Sequence, residues 1–397
     1  MIKRLSVFVL MLFLLVGCAS VPDEVKSNMN DYRNSESNKS DDSNFAYINV
    51  SELSIEVEEA LDKDYGQFTI SDKINFVQPS EINIMSFQEI SDFSDRIDDA
   101  KALFFTKSEI PKKSKDEAMD ALYYYWSDTE KKYCAVCNDG FIAVLKPDAF
   151  DISFSYSEPN VKIYHPDRKD DLSDEYQLKD GKCSVADAVE YINNWFETTY
   201  KPLAPYYDFQ VNTVIVREHE GNYLYQFRVE ALYNGVPIDS YTTEPEYIDG
   251  EFTSKMAYLE YEISIQMLSV NSIDSFTTGS GMLIPKVEEK INECISLESA
   301  LNFCENTFTE FRDITISDID IMYTLIPIYE TDTDGNNFLS GYNSRPVWEF
   351  IIDVPSEDFL AKGEVNTYGD TRKYIYIDMV TGEVHYNFDI VKQGLGG

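Results

Sequence analysis

Basic residues and histidines are scarce in this chain of 397 residues, and their scarcity removes several functions at once. Lysine and arginine number 33 against 71 aspartates and glutamates, a formal net charge of −38. Nucleic acid is held mainly by neutralising its phosphates, so DNA and RNA are excluded as partners. The carboxylates either keep the protein soluble or attract a basic peptide, a basic protein face or a cation. The three histidines, His165, His219 and His385, are scattered and form no His-Glu-x-x-His, so the zinc-hydrolase pattern is missing. No Gly-x-Ser-x-Gly nucleophile turn and no glycine-rich phosphate loop is present. With so many acids, a carboxylate pair picked out as a glycosidase site carries no weight. Apolar runs are short everywhere except at the N-terminus, so no second membrane anchor is expected.

Cysteine is sparse as well. Beyond Cys18 there are Cys134, Cys137, Cys183, Cys294 and Cys304, an odd number that cannot pair completely. Cys134-Ala135-Val136-Cys137 has redox spacing, yet it precedes a hairpin turn instead of opening a helix. No second Cys-x-x-Cys completes a zinc site, so a local disulfide or two packed thiols is expected. Cys304 falls on a helical apolar pattern and reads as a small core residue. Asp332-Thr333-Asp334-Gly335-Asn336 spaces its oxygens like the start of a calcium loop. Asn337 and Asn343 stand where such a loop needs Gly and a bidentate Glu, so a surface loop from Tyr329 to Ser344 is the better reading.

What is present starts at the N-terminus. Lys3 and Arg4 precede the twelve-residue apolar run Leu5 to Val16, which is short for a span of about 20 residues and ends in Leu15-Val16-Gly17-Cys18. This resembles the lipobox of bacterial lipoproteins. The resemblance implies a signal peptide over residues 1–17, lipid attachment at Cys18, and a protein held by acyl chains at the outer side of the cell membrane. Residues 18–45, rich in Ser, Asn and Asp, read as a solvated tether.

The chain as a whole is 43 % hydrophobic and 14 % aromatic, enough for real cores. Residues 46–180 are expected to form an N-terminal α+β domain, with helical spacing over Asp116 to Trp126. Strands are expected over Phe141 to Leu145 and Asp151 to Tyr156, the former entered through the turn Asn138-Asp139-Gly140. The C-terminal half repeats itself. Ser184, Val185, Ala188, Val189, Tyr191 and Phe196 match Ser296, Leu297, Ala300, Leu301, Phe303 and Phe308, each pair 112 residues apart. Both segments read as amphipathic helices with a serine N-cap. Alternating strands follow over Phe209 to Arg217, Tyr223 to Leu232 and Phe252 to Ile265, and again over Ile319 to Ile328, Val347 to Val354 and Tyr374 to Phe388. Ser269 to Gly281 reads as a linker.

Tyr376-Ile377-Asp378-Met379-Val380-Thr381-Gly382-Glu383-Val384 resembles the closing signature of PepSY-type domains, and Tyr233-Asn234-Gly235-Val236-Pro237-Ile238 is similar to a turn of related peptidase propeptides. The resemblance covers residues 183–265 and 295–390; the first copy lacks Asp-x-x-Thr-Gly, and Asp249-Gly250 is expected to serve as its turn. Gly382 supplies a positive φ and Asp378 and Thr381 bind the turn backbone, so these residues read as structural. The expected fold class is α+β, with two PepSY-like units, each a helix on an antiparallel meander, at 181–268 and 286–397 around a linker at 269–285. The resemblance implies a non-enzymatic protein without cofactor or metal that binds an envelope protein or peptide, as a regulator or inhibitor of an extracytoplasmic peptidase or sensor kinase. Two alternatives stay open. One is glycan or small-ligand binding on tyrosine platforms such as Tyr123-Tyr124-Tyr125-Trp126 and Tyr206-Tyr207. The other is an enzyme site within 46–180.

Overall fold

The computed structural model describes residues 45–66, 68–90, 92–105, 112–115, 122–127, 131–146, 161–219, 221–239, 246–248, 251–253, 262–278, 282–307, 314–331, 337–353 and 373–386. Helices and strands are mixed along the chain, and the fold is α+β. The first third holds β1 (Tyr47–Asn49), α1 (Leu53–Leu61), β2 (Phe68–Ile70), β3 (Asn83–Glu89), α2 (Ile97–Ala102), β4 (Lys112–Lys115), β5 (Leu122–Ser127), β6 (Lys132–Cys137), β7 (Ile142–Leu145) and β8 (Lys162–Tyr164). The middle holds β9 (Glu175–Gln177), β10 (Lys182–Ser184), α3 (Val185–Trp195), β11 (Asp208–His219), β12 (Asn222–Tyr233), β13 (Val236–Asp239), β14 (Glu246–Ile248), β15 (Glu251–Thr253), β16 (Glu262–Met267) and β17 (Ser275–Thr278). The last third holds β18 (Leu283–Lys290), β19 (Glu293–Ile295), α4 (Leu297–Thr307), β20 (Ile314–Thr331), β21 (Asn337–Asp353), β22 (Lys373–Asp378) and β23 (Val384–Tyr386).

Two stretches share one build, and their registers coincide. In each, a two-stranded ribbon leads into a serine-capped helix, and a four-stranded antiparallel meander follows. Ser184 Oγ accepts the Asp187 N–H at 3.0 Å and Ser296 Oγ accepts that of Ser299 at 3.1 Å, the N-cap bond that satisfies an orphan donor of the first turn. The pair β11–β12 carries a bulge between Val211 and Thr213, where the partners step from Val229 to Arg228. The pair β20–β21 carries one between Ile316 and Asp318, stepping from Ile352 to Ile351. Tyr225 lies opposite Met267 as Trp348 lies opposite Ile377, and Ile265 opposite Phe276 as Ile375 lies opposite Tyr386. The correspondence extends to a buried clamp. The Tyr225 hydroxyl donates to the Cys183 carbonyl at 2.6 Å, and Trp348 Nε1 donates to that of Ile295 at 2.9 Å. Both acceptors lie in the ribbon strand one residue before the capping serine.

The helices cover the apolar faces of the meanders. From α3, Val185, Ala188, Val189 and Ile192 are buried with Phe227, Val229 and Ile265; from α4, Leu297, Ala300, Leu301 and Cys304 are buried with Phe350, Ile352 and Ile375. A short meander exposes one apolar face that must be covered, and the spacing of three and four along each helix supplies the cover. A π turn, Phe196–Tyr200, extends α3. It seats Phe196 and Tyr200 beside Trp195, Phe209 and Phe276, with ring centroids 4.8–6.4 Å apart.

Residues 46–180 are expected to stand apart, but none of their described strands forms a sheet separate from the two copies. Strands β4 to β7 join the first copy, where β7 lies on the edge of β17, and β8 lies on β11. Strands β1, β2 and β3 join the second copy, on β19, β20 and β21. Strand β13 leaves β12 in a hairpin and runs parallel to β20, joining the two sheets. Among the described strands the pairings branch at β12, β20 and β21 without returning to their start, so they form two sheets sharing β13 and not a ring.

Two expectations are corrected in detail. The helical spacing over Asp116 to Trp126 gives way to strand β5 over its last residues, because the aromatic run pairs with β6 and alternation buries Tyr125 and Ser127. The linker at 269–285 contains β17 and the start of β18, with Phe276 fully buried, since its Ser and Thr residues suit a strand laid between β16 and β7. Asp249-Gly250, expected to turn the first copy, lies outside the described residues. The closing turn is 268–274, where Asp274 accepts the Leu268 N–H at 2.9 Å and the Ser272 hydroxyl at 2.5 Å and pairs with Lys146. Asp151 to Tyr156 lies outside the described residues.

The second closing turn is built as its residues imply. Asp378 Oδ1 accepts the N–H groups of Val380 and Thr381 at 2.7 and 2.8 Å, and Thr381 Oγ1 accepts that of Glu383 at 3.3 Å. Gly382 has φ +74°, and an added Cβ would lie 2.6 Å from the ring of Phe45. Gly235, at φ +82° in the Asn234-Gly235 turn, has open space around its Cα. Gly382→Ala is therefore expected to lose about 2–4 kcal/mol of unfolding free energy in urea, strain and overlap together, against about 1 kcal/mol for Gly235→Ala. Tyr225→Phe and Trp348→Phe are each expected to cost about 1–3 kcal/mol, since each leaves a buried ribbon carbonyl without its donor. A loss confined to one of the two would show that the clamps are not equivalent.

Candidate functional site

A buried ion pair and a carboxyl held well above its ordinary range lie where the two copies meet. After β8, residues 165–170 form a tight turn in which the Arg168 N–H donates to the His165 carbonyl at 3.1 Å and the His165 N–H to Asp170 at 2.9 Å. The segment after β2 holds this turn: Lys73 Nζ lies 2.7 Å from Asp170, and Asn75 Nδ2 donates to the Asp167 carbonyl at 3.2 Å. Arg168 thereby reaches across to the bulge of β20, and its Nε lies 2.5 Å from Asp318 Oδ2 with both side chains at least nine-tenths buried. A buried pair of this kind is costly to desolvate, and removal of one partner strands the other charge.

Around the pair the charge is mostly of one sign. Asp320 lies two residues along β20 from Asp318 and directly opposite Glu349 of β21. Glu230 of β12, which accepts a hydrogen bond from Asn212 Nδ2 at 2.5 Å, and Asp167 of the turn act on it from the first copy. Burial, followed by the charges of Asp318, Glu349, Glu230 and Asp167, holds the Asp320 carboxyl well above the ordinary carboxylate range. A carboxylic acid kept neutral in this way is able to donate a hydrogen bond or hold a proton. Strongly shifted groups of this type mark functional positions, although structural networks produce them as well.

The residues singled out from sequence are not gathered here. Cys18, the tether up to residue 44 and the Asp332–Asn336 loop lie outside the described residues. Cys134 and Cys137 are three residues apart on β6 and so face opposite sides of the sheet; all five cysteines from Cys134 onward are free thiols, so of the two states expected for this pair the local disulfide is not the one formed. Burial pushes the thiols of Cys134 and Cys294 up to about 12, the reverse of a reactive cysteine. Cys304 is fully buried in the core, as its helical position implies. Among the described residues no group of His, Cys, Asp and Glu has metal-binding geometry. Tyr207 is buried and donates to the Leu283 carbonyl at 3.0 Å, while Tyr206 beside it is exposed, so the pair makes no shared platform. No described helix is long and apolar enough to cross a membrane.

Sequence reasoning passed over the seam because Asp318 and Asp320 alternate with Ile319 and Ile321, the pattern of a strand with one wet face. The available signal was that this face also carries Met322, which is buried with Val347 and Tyr376.

No family model matches the chain, and no curated protein matches it. Among solved structures it is similar to the crystal structure of an uncharacterized protein from Eubacterium rectale ATCC 33656. That likeness has a TM-score of 0.49 and 17 % sequence identity, and covers 84 % of this chain and 98 % of the other.

Proposed function

We propose that this protein is a non-enzymatic lipoprotein, anchored through Cys18 outside the cytoplasmic membrane, whose two PepSY-like units bind a protein or peptide of the cell envelope. In this reading it regulates or inhibits an extracytoplasmic peptidase or sensor kinase. The observation that carries the reading is the coincident register of the two ribbon–helix–meander copies with their matched clamps, the build that the closing signature implies. Modules of this kind act by contact, and two in one chain offer two faces to a partner. Strand β18 is an unpromising place for an added strand. Among the described residues it pairs only with β3, and its exposed half carries Lys286, Glu288, Glu289, Lys290 and a bulge, features that discourage edge pairing. The partner is therefore expected to engage side-chain surfaces, and the net charge of −38 favours a basic one.

Cells fed labelled palmitate are expected to label the wild-type protein and leave Cys18→Ala unlabelled in the soluble fraction. Crosslinking in those cells followed by mass spectrometry is expected to recover one envelope protein with the wild type. An unlabelled wild type would remove the anchor, and well-expressed protein that crosslinks to nothing would remove the binding role.

A further inference from the structure

Register equivalence shows how the seam departs from its counterpart in the first copy. Asp320 lies opposite Glu349 in the position that Ile215 holds opposite Gln226, and Asp318 takes the place of Thr213. Ile215 is 1 % exposed, whereas Asp320 at the matching position is half-buried, set beside the buried Asp318 and facing Glu349. The groups facing that acid come from four places. Asp318 lies on its own strand, Glu349 on β21, Glu230 on β12, and Asp167 in the turn after β8. Arg168 of the same turn is bound to Asp318, and Arg228 lies on the same face of β12 as Glu230. The four strongest charges acting on Asp320 are thus all carboxylates, two from each copy. A negative charge on Asp320 is repelled across the joint, whereas an uncharged acid is not.

We propose that the joint between the two copies is held by a proton: with Asp320 uncharged the copies close through Arg168 and Asp318, and ionisation of Asp320 loosens them, so that rising pH opens the seam. The sign follows from linkage. The folded state binds this proton more tightly than the unfolded chain, whose ordinary value is 3.8. The stabilisation is complete below that value and is lost as pH rises through the raised folded value. Asp274 behaves oppositely. Burial raises its carboxyl, but hydrogen bonds from Lys146, Ser272 and the Leu268 N–H outweigh it and hold the group low. Its contribution is present above 3.8 and fades as pH falls. The seam therefore has its own pH direction, separable from ordinary acid destabilisation.

Amide hydrogen exchange on the full chain, corrected for the intrinsic pH dependence of exchange and followed over residues 161–170 and 314–320 from about pH 5 to about pH 9, reads the joint directly. Wild-type protection there is expected to fall as pH rises, by about tenfold for each unit that the folded value stands above the unfolded one. Asp320→Asn, which keeps the shape of the neutral acid, is expected to hold its protection flat. Glu349→Gln leaves Asp320 in place and removes one repelling charge, and is expected to move the wild-type fall to lower pH. Parallel profiles for wild type and Asp320→Asn would overturn the proposal. Should that variant fail to fold, an unmoved profile in Glu349→Gln would do the same.

Discussion

Everything in this fold depends on keeping one helix pressed to the apolar face of each meander. The buried residues of those faces, Phe227, Val229 and Ile265 in one copy and Phe350, Ile352 and Ile375 in the other, are each worth about 1.5–3 kcal/mol only while covered. Hydrophobic contact by itself is non-directional and leaves a helix free to slide. Direction comes from polar bonds at the helix start. The capping serine fixes the first turn, and an aromatic donor from the second meander strand pins the ribbon carbonyl just ahead of it. The second copy adds a further tie, since the Glu56 carboxylate of α1 accepts the Leu297 and Glu298 N–H groups at 3.0 and 2.7 Å, where the helix dipole also favours a negative charge.

The helix-covered faces of the two copies stay alike, while their other faces diverge. The first carries Arg217, Gln226, Arg228 and Gln266; at the matching positions the second carries Met322, Glu349, Ile351 and Tyr376. A face that packs a helix is constrained by volume and apolarity, and a substitution there opens a cavity. The opposite face is free to acquire charge, and where the copies abut it has done so with opposed carboxylates around one buried guanidinium.

This contrast also explains what was legible from residues alone. The helices and their serine caps were visible because residues 184–196 recur at one offset of 112. The meanders were visible only as separate strands, because loops of unequal length change the spacing. It is 105 from Val211 to Ile316, 123 from Tyr225 to Trp348, and 110 from Met267 to Ile377. No single offset aligns them, and the clamp replaces a tyrosine by a tryptophan. The Asp378-to-Gly382 turn was legible because its chemistry is local. The dispersal of residues 46–180 over both sheets was hidden because strand partners are chosen by distant edges. Neither alternation nor composition reveals that Phe68 pairs beside Ile314 or that Val144 lies opposite Phe276. The acidic seam was invisible for the same reason, since its members come from four separate stretches of chain.

The ribbon strand of the first copy is supplied by the residues just before it, Glu175–Gln177, while the second copy borrows Tyr47–Asn49 from about 240 residues earlier in the chain. Ala46 is bound to Ser299, 253 residues onward, and Tyr47 to Val380, 333 onward. A polypeptide emerging amino end first thus leaves Tyr47–Asn49 without its strand partner until Glu293–Ile295 has been made. Closure of so long a loop is slow and entropically expensive, so the half made last is also the half that completes what was made first.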